Sequence, residues 1–301
     1  MTTDTPTPAP AARLAAPRSL RAEHLSVRYG ERPVLTDLSL EIPTGGFTVI
    51  IGPNGCGKST LLRSLARLLR PRSGTVTLDG HDLAGFRTKA AARQIGTLAQ
   101  AATVPAAVTV ADLVARGRNP HQSLLRQWNV ADERAVAGAL AEVGMTEHAD
   151  RLIEELSGGQ RQRAWIAMTL AQETPILLLD EPTTYLDIAH QIDVLDLCAT
   201  LHEGGRTLVA VLHDLNLAAR YATHIVAMRD GAIVAQGTPE QVVTAALLRD
   251  VFELEARVLP DPETGSPLII PRDRRAGTRG PKPSDSPTTY PSQPIAAHQP
   301  A

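Results

Sequence analysis

Long apolar runs are absent from this 301-residue sequence. The most apolar stretches, residues 176–179 and 207–212, have the length of buried strands and fall short of the roughly 18 to 20 residues that a membrane-spanning helix needs. A basic surplus is also absent, since the formal net charge is -2 and the sequence pI is near 6.5. We therefore expect a globular protein without a transmembrane span or a nucleic-acid partner, so any membrane role must come from another subunit.

Cysteine is scarce as well. Cys56 and Cys198 are too few for a disulfide framework and are typical of a reducing compartment. The first 20 residues lack the continuous apolar stretch of a signal peptide, so we expect a cytoplasmic protein. Residues 1–20 and 272–301 are predicted to be disordered tails around one continuous body, residues 21–271, because Pro and small or polar residues dominate both ends.

Strand and helix patterns alternate through that body. Short apolar or alternating stretches predict strands at residues 25–29, 34–42, 47–51, 75–78, 95–99, 176–180, 207–212, 225–229 and 232–236. Helical periodicity predicts helices at residues 58–69, 109–116, 132–143, 157–171 and 188–202. The alternation predicts an α/β fold with a mostly parallel sheet core, and the nearly pure helical pattern over about residues 101–170 predicts a helical insertion.

A phosphate-binding loop is the strongest motif. Its residues are Gly52, Pro53, Asn54, Gly55, Cys56, Gly57, Lys58, Ser59 and Thr60. It stands between an apolar strand and an amphipathic helix, the context that a P-loop requires. The glycines let backbone N–H groups curl around the phosphates of ATP, the helix N-terminus and Lys58 add positive charge, and Ser59 ligates Mg²⁺. The chain has only three lysines, so the chance of a random match is on the order of one in several hundred.

The predicted strand at residues 176–180 ends in paired acids. At the carboxyl end of a parallel strand, Asp180 holds Mg²⁺ through water, while Glu181 orients or deprotonates the attacking water. Alone, this pattern also fits an ordinary strand followed by an acidic turn. Together with the P-loop it predicts ATP hydrolysis.

A Ser-Gly-Gly segment opens the next predicted helix. Its residues are Leu156, Ser157, Gly158, Gly159 and Gln160, followed by Arg161, Gln162 and Arg163. Ser157 suits an N-cap, and the glycines allow a phosphate to approach free N–H groups. The segment resembles the signature motif of ABC ATPases, a family in which the signature of one subunit covers the γ-phosphate on the P-loop of the other. The resemblance therefore implies that two subunits close head to tail around two ATP molecules.

The resemblance extends over about residues 21–271. It implies an ABC-type P-loop NTPase fold, with an N-terminal antiparallel β region and a helical insertion subdomain, and it makes Lys58, Glu181 and His213 the catalytic residues. Tyr29 matches the aromatic residue that stacks on adenine. Gln100 matches the glutamine that contacts Mg²⁺, beside Ser59 and Asp180. In the family this glutamine also couples the ATP site to the membrane subunit. Residues 182–187 match the loop that crosses the dimer interface.

Several segments resemble the importers of ferric siderophores more closely. They are residues 52–56, 115–121, 183–191 and 212–216, with Asp261-Pro262 and Gly265-Ser266-Pro267. Tyr185 departs from the small residue that many ABC ATPases carry in the interface loop. The implied partners are an identical second ATPase subunit, integral membrane permease subunits that dock near residues 101–121, and indirectly a substrate-binding protein. The implied location is the cytoplasmic face of the cell membrane.

Other functions stay open at this point. Haem, cobalamin or a free metal ion are alternative cargoes, and an exporter subunit is a further alternative. A soluble ABC ATPase of DNA repair, chromosome structure or translation fits less well, because Lys58 and Ser157 are too close for a long coiled coil and only one P-loop is present. Cys56 lies at a helix N-terminus, which can lower a thiol pKa, but we expect a tolerated small residue without a redox role.

Overall fold

The computed structural model describes residues 18–98, 107–122 and 128–273. The described strands are β1 Leu20–Tyr29, β2 Arg32–Ile42, β3 Phe47–Ile51, β4 Ser73–Leu78, β5 His81–Asp82, β6 Ile95–Leu98, β7 Ile176–Asp180, β8 Thr207–Val211, β9 His224–Arg229, β10 Ala232–Gly237, β11 Ala256–Pro260 and β12 Pro267–Pro271. The described α-helices are α1 Lys58–Leu65, α2 Thr88–Ala92, α3 Val110–Ala115, α4 Val130–Glu142, α5 Gly158–Leu170, α6 Ile188–Glu203, α7 Leu215–Tyr221, α8 Pro239–Val242 and α9 Ala245–Phe252.

A six-stranded sheet of order β10-β9-β3-β8-β7-β6 forms the centre of the fold. The strands from β9 to β6 run parallel, and only β10 pairs antiparallel. Every residue of β3, β7 and β8 is buried, as expected for parallel strands with both faces covered. The predicted α/β fold with a mostly parallel core is therefore confirmed.

The two faces of this sheet support two apolar cores. Along β3, Phe47, Val49 and Ile51 point into the core formed with α5, α6 and α7, while Ile50 points into the other. Helix α1 fills that second core and contacts both the central sheet and the antiparallel sheet β2-β1-β4-β5. The P-loop helix is thus fixed between two sheets, and the expected N-terminal antiparallel β region is present.

Helices dominate the described part of residues 107–170. Helices α3, α4 and α5 pack on one another, with short 3₁₀ turns between them and one isolated bridge from Thr109 to Leu152. Helix α5 agrees with its prediction, since Ser157 is its N-cap and Ala171 its C-cap. Helix α1 is shorter than predicted. It ends at Leu65 because the chain turns at Arg67, whose φ of 57° is left-handed, although apolar residues continue to position 69.

The chain ends also differ slightly from the prediction. Arg18 forms an ion pair with Asp79 at 2.6 Å, and the Arg272 N–H donates to the Glu255 carbonyl at 2.8 Å. The folded body therefore reaches beyond residues 21–271 at both ends, while residues 1–17 and 274–301 of the predicted tails lie outside the described residues. Within the described ranges, no helix is both long and apolar enough to cross a membrane.

Candidate functional site

The loop between β3 and α1 requires glycine for steric reasons. Gly52 has φ 154° and Gly57 has φ 106°, both in the region that favours glycine. A Cβ on Gly52 would lie 2.8 Å from Cys56 Sγ and closer still to the Met228 carbonyl, and one on Gly57 would lie 2.8 Å from Leu35 Cδ2. The loop is therefore held in a tight curl by its neighbours in β9 and β2.

Lys58 lies inside this curl. Its side chain is buried, and Nζ donates hydrogen bonds to the carbonyl oxygens of Gly52 at 2.8 Å and Pro53 at 3.0 Å. A cleft of about 170 Å³ opens beside it. The cleft is lined by Val34, Asn54, Gly55, Gly57, Lys58, Ser59, Thr60, Glu181 and His213. The structure thus brings the P-loop together with the acidic end of β7 and with His213.

Asp180 faces Ser59 at the carboxyl end of β7. The Ser59 Oγ donates to Asp180 Oδ1 at 2.8 Å, whereas the buried Oδ2 accepts no hydrogen bond from a described residue and lies 3.7 Å from Arg63 Nη2. Burial raises the pKa of Asp180, against the opposing effects of the Ser59 hydrogen bond and the Arg63 charge. A carboxylate with an available oxygen beside a hydroxyl is a donor set that suits Mg²⁺.

Glu181 contacts His213 across the cleft. Its Oε1 lies 2.7 Å from His213 Nε2, and its Oε2 accepts a hydrogen bond from Thr184 Oγ1 at 3.1 Å. The φ of Glu181 is 55°, a left-handed value that is unfavourable for a non-glycine residue and occurs often at functional sites. Two contacts therefore fix a carboxylate next to the place where phosphates would lie.

The remaining predicted residues lie away from this cleft or outside the described ranges. Tyr29 ends β1 and is 49% exposed, and Gln100 lies outside the described residues. Ser157 caps α5, accepting from the Gln160 N–H at 3.2 Å while Gln160 Oε1 accepts from the Ser157 N–H at 3.1 Å. None of the described signature residues lines the cleft of its own subunit.

Cys56 differs from the setting that the sequence suggested. The thiol is buried against the P-loop, and burial raises its pKa despite the nearby Lys58 charge. The raised pKa opposes activation of this thiol by the helix N-terminus, and the expectation that Cys56 is a tolerated small residue without a redox role stays a prediction.

Sequence reasoning missed the role of Arg63 at the site and a long-range contact of Asn216, which lies in the resembling segment 212–216. Arg63 follows Ser59 by one helical turn, a spacing that could have shown that both face Asp180. Asn216 follows His213 in the chain, and its side-chain amide pairs with the backbone of Ile269, donating to the carbonyl at 3.3 Å and accepting from the N–H at 2.7 Å. No local pattern marks this second contact, because β12 is distant in sequence.

A curled glycine loop, a buried lysine, a serine–aspartate pair and a second carboxylate at the end of a parallel sheet define a P-loop nucleotide hydrolase. The antiparallel sheet, the helices before α5 and the capped signature segment specify the ABC type within that class. The chain belongs to the ATP-binding proteins of ABC transporters, and it binds and hydrolyses ATP.

Comparisons with known proteins support the assignment to the ABC family. The family model described as "ABC transporter" matches residues 35–184. The chain is 56% identical to the ferric enterobactin transport ATP-binding protein FepC of Escherichia coli over 258 residues, which are 85% of this chain and 95% of the relative. It is 55% identical to the petrobactin import ATP-binding protein FpuD of Bacillus anthracis, with 85% and 94% covered.

Solved structures agree with the fold. A metal-chelate-type ABC transporter in an inward-facing conformation superimposes with a TM-score of 0.73 at 28% identity, covering 85% of this chain and 98% of the other. The ADP conformation of MJ1267, an ABC transporter cassette, superimposes with a TM-score of 0.71 at 25% identity, covering 78% and 97%. The ABC-type fold that the sequence resemblance implied is therefore confirmed.

Proposed function

We propose that the chain energises the uptake of ferric siderophores as the ATP-hydrolysing subunit of an importer. The observation that supports the cargo is a difference in identity among relatives that match 82–85% of this chain, with the cobalamin relative itself covered to 62%. Proteins named for ferric enterobactin, petrobactin and siderophore transport are 56%, 55% and 53% identical, whereas those named for hemin and cobalamin import are 42% and 40% identical; a second petrobactin import protein is also 40% identical. Haem and cobalamin are therefore the alternatives to test.

The cleft supports hydrolysis through this chain's own side chains. Lys58 exchanges its hydrogen bonds to the loop carbonyls for phosphate oxygens, and Tyr29 offers an exposed ring for adenine. Glu181, held by Thr184, accepts a proton from the attacking water, while His213 offers Nε2 to the γ-phosphate.

Ser59, Asp180 and Gln100 are the residues that would hold Mg²⁺. Of these, Asp180 has the buried oxygen that accepts no hydrogen bond from the described part of the chain, and Gln100 lies outside that part. When bound, Mg²⁺ supplies charge that offsets the phosphate oxygens.

A second copy of the chain completes the site. The signature residues Ser157 to Gln160 do not line the cleft of their own subunit, and Gly158 and Gly159 lie in the first turn of α5, so we assign them to the nucleotide of the partner subunit. The interface loop supports the same arrangement, since Tyr185 is 98% exposed with a left-handed φ of 64° and the neighbouring Ile188 is also exposed. Exposed apolar side chains at such a loop favour burial against another subunit.

Coupling to the membrane follows from the proposed class. The helices described between residues 107 and 170 act as a subdomain, and a cytoplasmic element of the permease docks at residues 101–121, of which 101–106 lie outside the described residues. The complex lies on the cytoplasmic face of the cell membrane and receives cargo from a substrate-binding protein. Nucleic acid has no role, in keeping with the net charge of -2.

Uptake measurements in a deletion strain test the cargo. Cells under iron limitation receive individual radiolabelled ferric siderophores, haem or cobalamin, and the strain is complemented with the wild-type chain or with Lys58→Ala. We expect the wild type, but not Lys58→Ala, to restore uptake of at least one ferric siderophore. Unchanged siderophore uptake in the deletion strain, with lost haem or cobalamin uptake, would overturn the proposed cargo.

A further inference from the structure

The imidazole of His190 is fixed by the residue that begins its own helix. Asp187 is the N-cap of α6, and its Oδ1 accepts hydrogen bonds from the His190 backbone N–H at 2.9 Å and from the ring Nδ1 at 2.7 Å. Since a carboxylate only accepts, Nδ1 carries the proton. The ring therefore has one orientation, set by the last residue of the interface loop.

In that orientation the ring occupies the space beside Gly159. A Cβ on Gly159 would lie 2.9 Å from His190 Nε2, 2.7 Å from Cγ and closer still to Cδ2. Gly159 has ordinary helical backbone within α5, so glycine is not needed there for its φ. Alanine has the higher helix propensity, by about 1 kcal/mol, so helix formation does not favour glycine either. The remaining reason for glycine at position 159 is the space that the His190 ring occupies.

The adjacent glycine gives a contrast within the same motif. A Cβ on Gly158 would meet only Leu186 Cδ2, at 3.6 Å, an ordinary van der Waals distance. The requirement imposed by the chain's own fold is thus specific to Gly159.

A second contact joins the same two helices one turn further on. Arg163 Nη2 of α5 lies 2.8 Å from Asp193 Oδ2 of α6. The spacings from Gly159 to Arg163 and from His190 to Asp193 each equal about one helical turn. The first two turns of α5 and α6 are therefore held together by one packed and one ionic contact.

We infer that His190 is a positioning residue that sets the signature helix against the interface loop. Through Asp187 on one side and Gly159 on the other, it makes Ser157 and Tyr185 approach the partner subunit as one rigid unit. The inference rests on the shared ATP site proposed above. According to this inference, glycine is required at position 159 partly because of its contact with His190 in the same subunit, and not only because of the phosphate bound by the partner subunit.

A rescue experiment tests this inference. The purified variants are Gly159→Ala, Gly158→Ala, His190→Ala and the two double variants with His190→Ala, measured for ATP hydrolysis, ATP binding and melting temperature. Gly159→Ala should lose about 10²-fold in kcat, because a displacement of about 1 Å at a reacting site has that effect. Removing the ring in Gly159→Ala/His190→Ala should restore at least about tenfold of that loss.

Two further measurements distinguish a positioning role of His190 from a role in folding. His190→Ala alone should lower kcat several-fold while leaving ATP binding to the P-loop unchanged, because His190 positions the signature helix and does not contact the P-loop of its own subunit. It should give no gain in the Gly158→Ala background. If Gly159→Ala melts early, its melting temperature should also recover in the double variant.

The inference is overturned if Gly159→Ala/His190→Ala stays as inactive as Gly159→Ala with no recovery of melting temperature. Failure of the proposed function would give a different experimental result. In that case the wild-type chain itself would show a specific ATPase activity that does not rise with protein concentration, so no shared site would exist.

Discussion

Replacing Arg118 by methionine should destabilise the protein strongly without touching the ATP site. Arg118 is 2% exposed, its Nε donates to Asp132 Oδ1 at 2.9 Å, and its Nη1 donates to Glu173 Oε2 at 2.7 Å and to the Ala171 carbonyl at 2.6 Å. These contacts tie a 3₁₀ turn to the start of α4 and to the end of α5.

The expected magnitude follows from the burial of the partner. Asp132 is also buried, so Arg118→Met removes the guanidinium from an interior carboxylate, which still accepts from the Asn129 N–H at 3.2 Å. Breaking such a pair costs about 3–5 kcal/mol, a large part of the roughly 5–15 kcal/mol that stabilises a typical domain. At about 2–4 °C per kcal/mol for a chain of this size, the melting temperature should fall by roughly 6–20 °C.

Thermal and urea unfolding measure this effect, and the chain offers a matched control. Arg249 and Glu255 form a pair at 3.1 Å in which both side chains are exposed, so Arg249→Met should change stability by less than about 1 kcal/mol. The double variant Arg118→Met/Asp132→Leu should cost less than the sum of the two single changes, because Asp132→Leu removes the interior charge that has lost its guanidinium. A melting temperature for Arg118→Met within about 1 °C of the wild type would refute the reasoning.

Three further predictions concern the cleft. Because burial raises the Asp180 pKa, the charged form of Asp180 opposes folding at neutral pH, so Asp180→Asn should raise the melting temperature and abolish hydrolysis. This gain should shrink as the pH falls and wild-type Asp180 becomes protonated; a gain that grows in acid would contradict it. Because burial raises the Cys56 pKa, iodoacetamide at pH 7 should modify the folded chain far more slowly than free cysteine, and rapid labelling would be the contrary result. Glu181→Gln should keep ATP binding and lower the turnover number by about 10² to 10⁴-fold. A near-normal rate of phosphate release would show that Glu181 is not the general base.

Parallel strands were the easiest part of the fold to predict. Strands β3 and β7 have the predicted bounds, because both faces are covered and each strand is a short unbroken apolar run. The C-terminal hairpin of β11 and β12 was missed, since prolines at positions 260, 267 and 271 suggest loop, and its stability comes from cross-strand pairing and from Asn216.

The site was predictable where its residues are adjacent in sequence. The P-loop and the acids after β7 are local motifs with a known backbone context. Partners distant in sequence were not predictable. The segment at residues 115–121 was noted only as a resemblance, yet a Cβ on Gly117 would collide with the Met168 carbonyl, and Arg118 reaches Glu173, 55 residues away. These contacts depend on the packing of α5, which no local pattern reveals.

The mass of Glu181→Gln in solution tests the shared ATP site most directly. Without hydrolysis, a closed dimer should persist, so light scattering in saturating ATP should give twice the 32.1 kDa of one chain, with one nucleotide bound per subunit. Adding Ser157→Arg, which places a large side chain where the partner's phosphate belongs, should return the mass to that of a single chain. A Glu181→Gln protein that binds one ATP per chain and stays at the mass of one chain would contradict the account.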